Sequence, residues 1–112
     1  MSFDPDLMKG SMEPVALRII SEGERYGYEI AKLVNERTGG RFRWREGSLY
    51  PCLHRLEADG LVRSFWREAP NGKIRKYYQI TRRGRRELAR RTHEWSEFAT
   101  AMNAILFSTG AA

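Results

Sequence analysis

Residues Gly47 to Leu61, GSLYPCLHRLEADGL, together with the aromatic-basic run RKYYQIT from Arg75 to Thr81, decide the reading of this chain. With about 100° of rotation per residue, Leu49, Leu53 and Leu56 fall on one face of a helix, with Cys52 at its margin. That face is expected in the core. The opposite side carries Gly47, Pro51, His54 and Ala58, flanked by Ser48 and Arg55 on one edge and Tyr50 on the other. A helix wholly inside a core has no need of such a second face. Small residues there let the backbone approach a groove, and Ser, Tyr, His and Arg supply donors for phosphates and base edges, as a DNA-recognition helix requires. The competing reading is a solvated polar face, which is common on basic helices.

The hairpin that follows favours the first reading. Gly60 closes the helix, and two strands are expected, Leu61 to Glu68 and Ile74 to Ile80, joined by Ala69-Pro70-Asn71-Gly72-Lys73. Asn-Gly is a strong hairpin signal because both residues tolerate positive φ. A hairpin behind a recognition helix is a wing. Lys73, Arg75 and Lys76 lie at or next to its tip, within reach of phosphates or the minor groove of flanking duplex. Tyr77 and Tyr78 point to opposite faces, which places one in the core and leaves the other for the DNA backbone. Tyr77 joins the candidate contacts on that ground.

Upstream, after a frayed start, Ser11 is the expected cap of a helix carrying Met12, Val15, Ala16, Ile19 and Ile20 at helical spacing, with Pro14 harmless in its first turn. A second helix is expected over Tyr26 to Thr38, stopped by Gly39-Gly40. Arg41 to Trp44 alternates and suggests a short strand. The recognition helix starts between Glu46 and Ser48, and the choice matters because proline costs about 3 kcal/mol inside a helix but little in its first turn. Ser48 as cap would place Pro51 in that first turn. Arg55 has two open roles, a groove contact or an ion pair with Asp59 one turn on. Downstream, Thr81 caps a long helix to about Phe107. Its stripe of Leu88, Trp95, Phe98, Ala99, Met102, Ile105 and Leu106 at roughly heptad spacing needs a cover. Packing within the chain is one possibility; a dimer seam with the partner's first helix, including Met12 and Val15, fits better.

These ordered motifs carry a family resemblance. LMKGSMEPVALRII from Leu7, GERYGYEI from Gly23, EGSLYPCLHRLEADGLV from Glu46, GKIRKYYQITRRGR from Gly72 and EWSEF from Glu94 together resemble a PadR-family transcriptional regulator of the short type, over about Leu7 to Leu106. The resemblance implies a recognition helix beginning at Glu46 and a backbone contact from Tyr28. It also implies sensing of planar or aromatic molecules, with Trp95 at the position of a tryptophan that lines a cavity between subunits. Met12, Phe98 and Met102 beside Trp95 could complete a flat apolar slot. Trp95 packing the seam without a ligand is the equal alternative.

Bulk properties agree with this picture. A chain of 112 residues makes one small domain, which gains stability from a partner subunit. The net charge of +6 favours polyanions. Between Arg63 and Arg91 there are eleven Lys or Arg against Glu68 and Glu87, so the positive charge sits on the wing and the start of the last helix. The single Cys52, with only His54 and His93, makes no disulfide and no usual zinc spacing, and packing is its expected role. No metal, cofactor or catalytic residue is expected, because no nucleophile-base-acid grouping or phosphate-cradling glycine loop is present. No apolar run nears a membrane span and MSFDPDLMKGS is no signal peptide, so a cytoplasmic protein is expected. The expected architecture is mainly α with a small β-wing: a winged helix-turn-helix over 1–80, a dimerisation helix over 81–108 in the same compact unit, and a tail over 109–112. The expected function is a homodimeric repressor on a double-stranded DNA operator, released by a small aromatic effector. The alternative is a winged helix that docks protein or binds nucleic acid without sequence preference.

Overall fold

The structure is a computed structural model that describes residues 3–8 and 10–110, with Pro5 and Asp6 described by their backbone alone. The elements run α1 (Pro5–Met8), α2 (Met12–Ser21), β1 (Arg25–Tyr26), α3 (Gly27–Arg37), α4 (Glu46–Ala58), β2 (Val62–Glu68), β3 (Ile74–Ile80) and α5 (Arg82–Leu106). Apolar residues of α2 (Ala16, Leu17, Ile19, Ile20), α3 (Ile30, Val34) and α4 (Leu49, Cys52, Leu53, Leu56) meet Leu61, Val62, Tyr78, Ile80 and Leu88 in one buried cluster. This is a mainly helical winged helix-turn-helix with a small β-wing and a long C-terminal helix, as the sequence pattern indicates. Residues 111–112 of the tail lie outside the described residues.

Several local expectations are corrected. The start of the chain forms α1, and Phe3 sets its ring edge-on to Phe42 with centroids 5.6 Å apart. Ser11 does not cap α2 through its side chain: its Oγ donates to the Met8 carbonyl at 2.6 Å and ties α1 to α2 instead. Arg41–Trp44 forms no strand. At its centre the backbone of Phe42 is taken by side chains, with Phe42 N donating to Thr38 Oγ1 at 2.9 Å and Asn35 Nδ2 donating to the Phe42 carbonyl at 3.2 Å, while Arg41 N donates to the Thr38 carbonyl at 3.2 Å. The strand that does form is β1, which pairs antiparallel to β3 through Arg25 with Tyr78 and Tyr26 with Tyr77, giving the sheet order β1-β3-β2.

The hairpin turn also differs from the expected pair of positive-φ residues. Gly72 N donates to the Ala69 carbonyl at 2.8 Å, which puts Pro70 and Asn71 at the corners, and only Gly72 takes positive φ, at 85°. Asn71 Oδ1 then accepts from Lys73 N at 3.0 Å. Proline presets the negative φ of the first corner, and glycine supplies the left-handed residue that returns the chain to β3.

Two joints fix α5 to the core. Thr81 caps it, its Oγ1 accepting from Gly84 N at 3.0 Å. Gly84 lies so close to the chain after α4 that a Cβ there would overlap the Leu61 carbonyl oxygen and come within 2.7 Å of Ile80 Cγ1. Leu88, one turn on, is buried in the core cluster, which corrects its place in the expected dimer seam: the chain covers it by itself. Beyond Arg91 no residue of α5 is buried, and the helix stretches a molecule of 62 × 32 × 20 Å.

Candidate nucleic-acid interface and effector groove

Helix α4 begins at Glu46, with Arg45 as its cap and no side-chain cap bond, so Ser48 is its third residue and Pro51 its sixth. Pro51 therefore leaves the Gly47 carbonyl without its helical partner, and Gly47 is exposed, where water can serve that oxygen. The two faces divide sharply. Leu49, Cys52, Leu53 and Leu56 are buried, whereas Glu46, Gly47, Ser48, Tyr50, Pro51, His54, Arg55 and Ala58 are exposed. Burial pushes the Cys52 thiol up to about 11, so the neutral thiol packs as a small apolar group.

Arg55 does not pair with Asp59. Its Nε lies 3.3 Å from Glu13 Oε2, and the other carboxylate oxygen of Glu13 lies 3.3 Å from Arg91 Nη1 of α5. Arg91 also donates to Glu87 at 2.9 Å, and Arg90 reaches the same carboxylate at 2.6 Å. These bonds from Arg90 and Arg91 hold Glu87 down to about 2. Similarly, Arg37 holds Glu22 below the usual carboxylate range.

Tyr28, the second residue of α3, is exposed and meets Tyr50 at a groove of about 370 Å³ between α3 and α4. Lys32 and Arg43 line the same groove. Sequence reading passed over both; Lys32 stands one helical turn after Tyr28, and Arg43 lies in the stretch read as a strand. Gly27 is what brings α3 and α4 so close, since a Cβ there would sit 3.2 Å from the Tyr50 ring.

The wing residues are distributed unlike the expectation. Lys73 is exposed at the turn. Arg75 is half-buried with its guanidinium 5.6 Å from the Tyr26 ring centroid, and Lys76 is half-buried with its Nζ 3.8 Å from Glu57 of α4. Tyr77 is corrected: at 4 % exposure it is buried, though outside the core cluster that holds Tyr78, because Tyr26, Phe65 and Arg67 surround it on the sheet face expected to be free. The Tyr26 ring lies 5.4 Å away edge-on, and Arg67 stacks on Tyr77 at 4.0 Å. The sequence reading also missed Trp66, which is 69 % exposed. Its place in an alternating strand was visible, but not which face the core would leave bare.

On α5, Trp95, Phe98, Met102, Ile105 and Leu106 are exposed, Ala99 is half-buried, and Phe107, not foreseen, is exposed. Met12 and Val15 are half-buried against the core. An apolar groove of about 550 Å³ runs between the N-terminal segment, α2 and α5, lined by Phe3, Leu7, Pro14, Val15, Phe42 and Trp95 among others. Of the four residues expected around an effector only Trp95 lines it; Met12 packs inward, and Phe98 and Met102 lie further along α5. Phe98 nonetheless neighbours Trp95, with ring centroids 5.9 Å apart. Among the described residues no group of three or more His, Cys, Asp or Glu could hold a metal ion, and no helix is long and apolar enough to cross a membrane.

A helix with one core face and one bare, donor-rich face, followed by a hairpin wing, defines a winged-helix protein. The profile of the PadR-like family of transcriptional regulators matches residues 16–90, and the chain belongs to that family. Transcriptional regulator Rv3488 of Mycobacterium tuberculosis is 41 % identical over 85 residues, 76 % of this chain and 78 % of that protein. Among solved structures, a transcriptional regulator from Clostridium thermocellum superposes with a TM-score of 0.84 at 29 % identity, covering 92 % of this chain and 97 % of that one. A PadR-like transcriptional regulator from Bacillus cereus gives 0.80 at 33 % identity, covering 95 % and 99 %.

Proposed function

We propose that this PadR-family transcriptional regulator is a cytoplasmic homodimeric repressor whose two α4 helices enter successive major grooves of a palindromic duplex, about 34 Å apart. The observation that carries the reading is the division of α4: four apolar side chains anchor it in the core, and the face bearing Ser48, Tyr50, Pro51, His54 and Arg55 is left bare. Tyr28 and Tyr50, with Lys32 and Arg43, border a groove suited to a backbone phosphate, and Lys73 extends the basic surface along the wing.

The dimer is supported by the apolar end of α5, where Trp95, Phe98, Ile105, Leu106 and the capping Phe107 are largely exposed among the described residues. A patch of this kind marks an interaction surface, and a helix repeating it once per turn suits a self-complementary seam. The groove beside Trp95 is apolar and large enough for a planar aromatic effector. Such a ligand derepresses only by favouring a subunit arrangement that mismatches the operator, since equal affinity for both states shifts nothing.

The test changes His54 to Ala and compares binding to a duplex from immediately upstream of the protein's own reading frame with binding to a scrambled duplex. Base readout predicts that the preference collapses while the salt slope is kept. A uniform loss on both duplexes would favour binding through charge alone.

A further inference from the structure

We propose that Trp66 and Ile74 form an apolar contact that seats the wing on the sugar wall of the minor groove beside the site read by α4, an inference that rests on the DNA reading above. The strand register places Trp66 opposite Lys76 and Glu68 opposite Ile74, so Val62, Ser64, Trp66 and Glu68 share one sheet face with Ile80, Tyr78, Lys76 and Ile74. This face meets three environments along its length. At its root Val62, Tyr78 and Ile80 are buried in the core. At its middle Ser64 Oγ donates to Glu57, and Lys76 pairs with the same carboxylate, so the last turns of α4 lie against it. Trp66, level with Lys76, is nonetheless 69 % exposed, and Ile74, one step nearer the turn and opposite Glu68, is 61 % exposed. Trp66 and Ile74 are therefore diagonal neighbours on the sheet face that α4 rests on, Trp66 beside the last α4 contact and Ile74 beyond it.

The other sheet face shows what a covered aromatic looks like here. Phe65 and Tyr77 stack with centroids 6.0 Å apart, and Arg67 caps both rings. Trp66 receives no such cover. The wing as a whole selects the occupant by charge: Lys76 on the Trp66 face, Arg63, Arg67 and Arg75 on the opposite face and Lys73 at the turn stand against Glu68 as the one acid of the hairpin from Val62 to Ile80, so a polyanion is drawn to the wing that carries the indole. Duplex DNA offers both the charge and an apolar surface, since the walls of a minor groove about 6 Å wide are lined by sugar C–H groups. An apolar side chain in that groove also leaves the exocyclic amino group of guanine without an acceptor, so A·T pairs are favoured where the wing lands.

The test is anisotropy with the upstream duplex and its scrambled counterpart, for the full chain and for Trp66→Ala and Trp66→Phe. Trp66→Ala is expected to weaken binding by about tenfold, the scale of losing one buried aromatic contact, with an unchanged salt slope and an unchanged melting temperature. Trp66→Phe should keep most of the affinity and lose most of the tryptophan quenching that accompanies DNA binding. Tight binding by the wild-type chain with no loss in Trp66→Ala overturns this contact and leaves the α4 reading standing, and Trp66 then serves another partner. If the wild-type chain binds neither duplex, the DNA reading fails and the wing contact fails with it.

Discussion

Arg55, on the bare face of α4, is held by Glu13 of α2, with Nε 3.3 Å from Oε2, and the same carboxylate reaches Arg91 of α5 at 3.3 Å. One carboxylate thus joins α4, α2 and α5. Arg55 is more than half exposed, so its pair with Glu13 is screened and a phosphate can compete for it. A double-mutant cycle with Glu13→Gln and Arg55→Gln in urea unfolding should give a coupling of about 0.2–1 kcal/mol. Glu13→Gln should also tighten DNA binding by a factor of a few, about 0.2–1 kcal/mol, because Arg55 is released and a negative charge removed. Weaker DNA binding would mean that Glu13 positions Arg55 instead of competing for it.

Glu87 should contribute to acid sensitivity alongside Glu22. Hydrogen bonds from Arg90 and Arg91 hold its folded-state value down to about 2, below the ordinary 4.5. Depression of this sign adds stability above the ordinary value, and that stability is lost as pH falls from 4.5 toward 2. Melting temperatures of wild type and Glu87→Gln should therefore differ at neutral pH and converge in acid. A gap that stays constant over that range contradicts the assignment.

Gly84 should tolerate no side chain. Gly84→Ala forces the start of α5 off the Leu61 carbonyl and Ile80, and overpacking of this kind costs about 1–3 kcal/mol. Urea midpoints measure it directly, and a neutral substitution would mean that α5 docks more loosely than the structure has it.

Sedimentation should report the wild-type chain as a dimer. Phe98→Glu, which places a charge in the apolar stripe, should shift it toward monomer, whereas Leu88→Ala should lower the melting temperature first because Leu88 belongs to the subunit core. The reverse pattern would move the seam off the distal end of α5.

Periodicity carries far in this chain where one face meets one core. It separates Leu49, Leu53 and Leu56 from His54 and Arg55 because a helix angle depends on sequence spacing alone. It fails for the wing, where alternation identifies two faces but not what covers each. Tyr77 is buried because β1, only two residues long and carrying no pattern of its own, pairs with β3 and sets Tyr26 beside it, with Phe65 on its other flank. Trp66 is bare even though Lys76, opposite it in the register, pairs with Glu57 of α4. The partner of Arg55 was equally out of reach, since Glu13 lies 42 positions away and only the packing of α2 on α4 brings them together. Trp95 shows the same limit, being legible as part of a stripe but not as the rim of a groove shared with Phe3 and Phe42.

On the proposed function, the bare face of α4 reads DNA sequence. Fluorescence anisotropy at near-physiological salt, with the duplex upstream of the protein's own reading frame against a scrambled duplex of equal length, tests it most directly. A preference of about 1000-fold or more is the predicted result. Equal and strongly salt-dependent binding to both would contradict operator recognition there and reduce the α4 face to a charge surface.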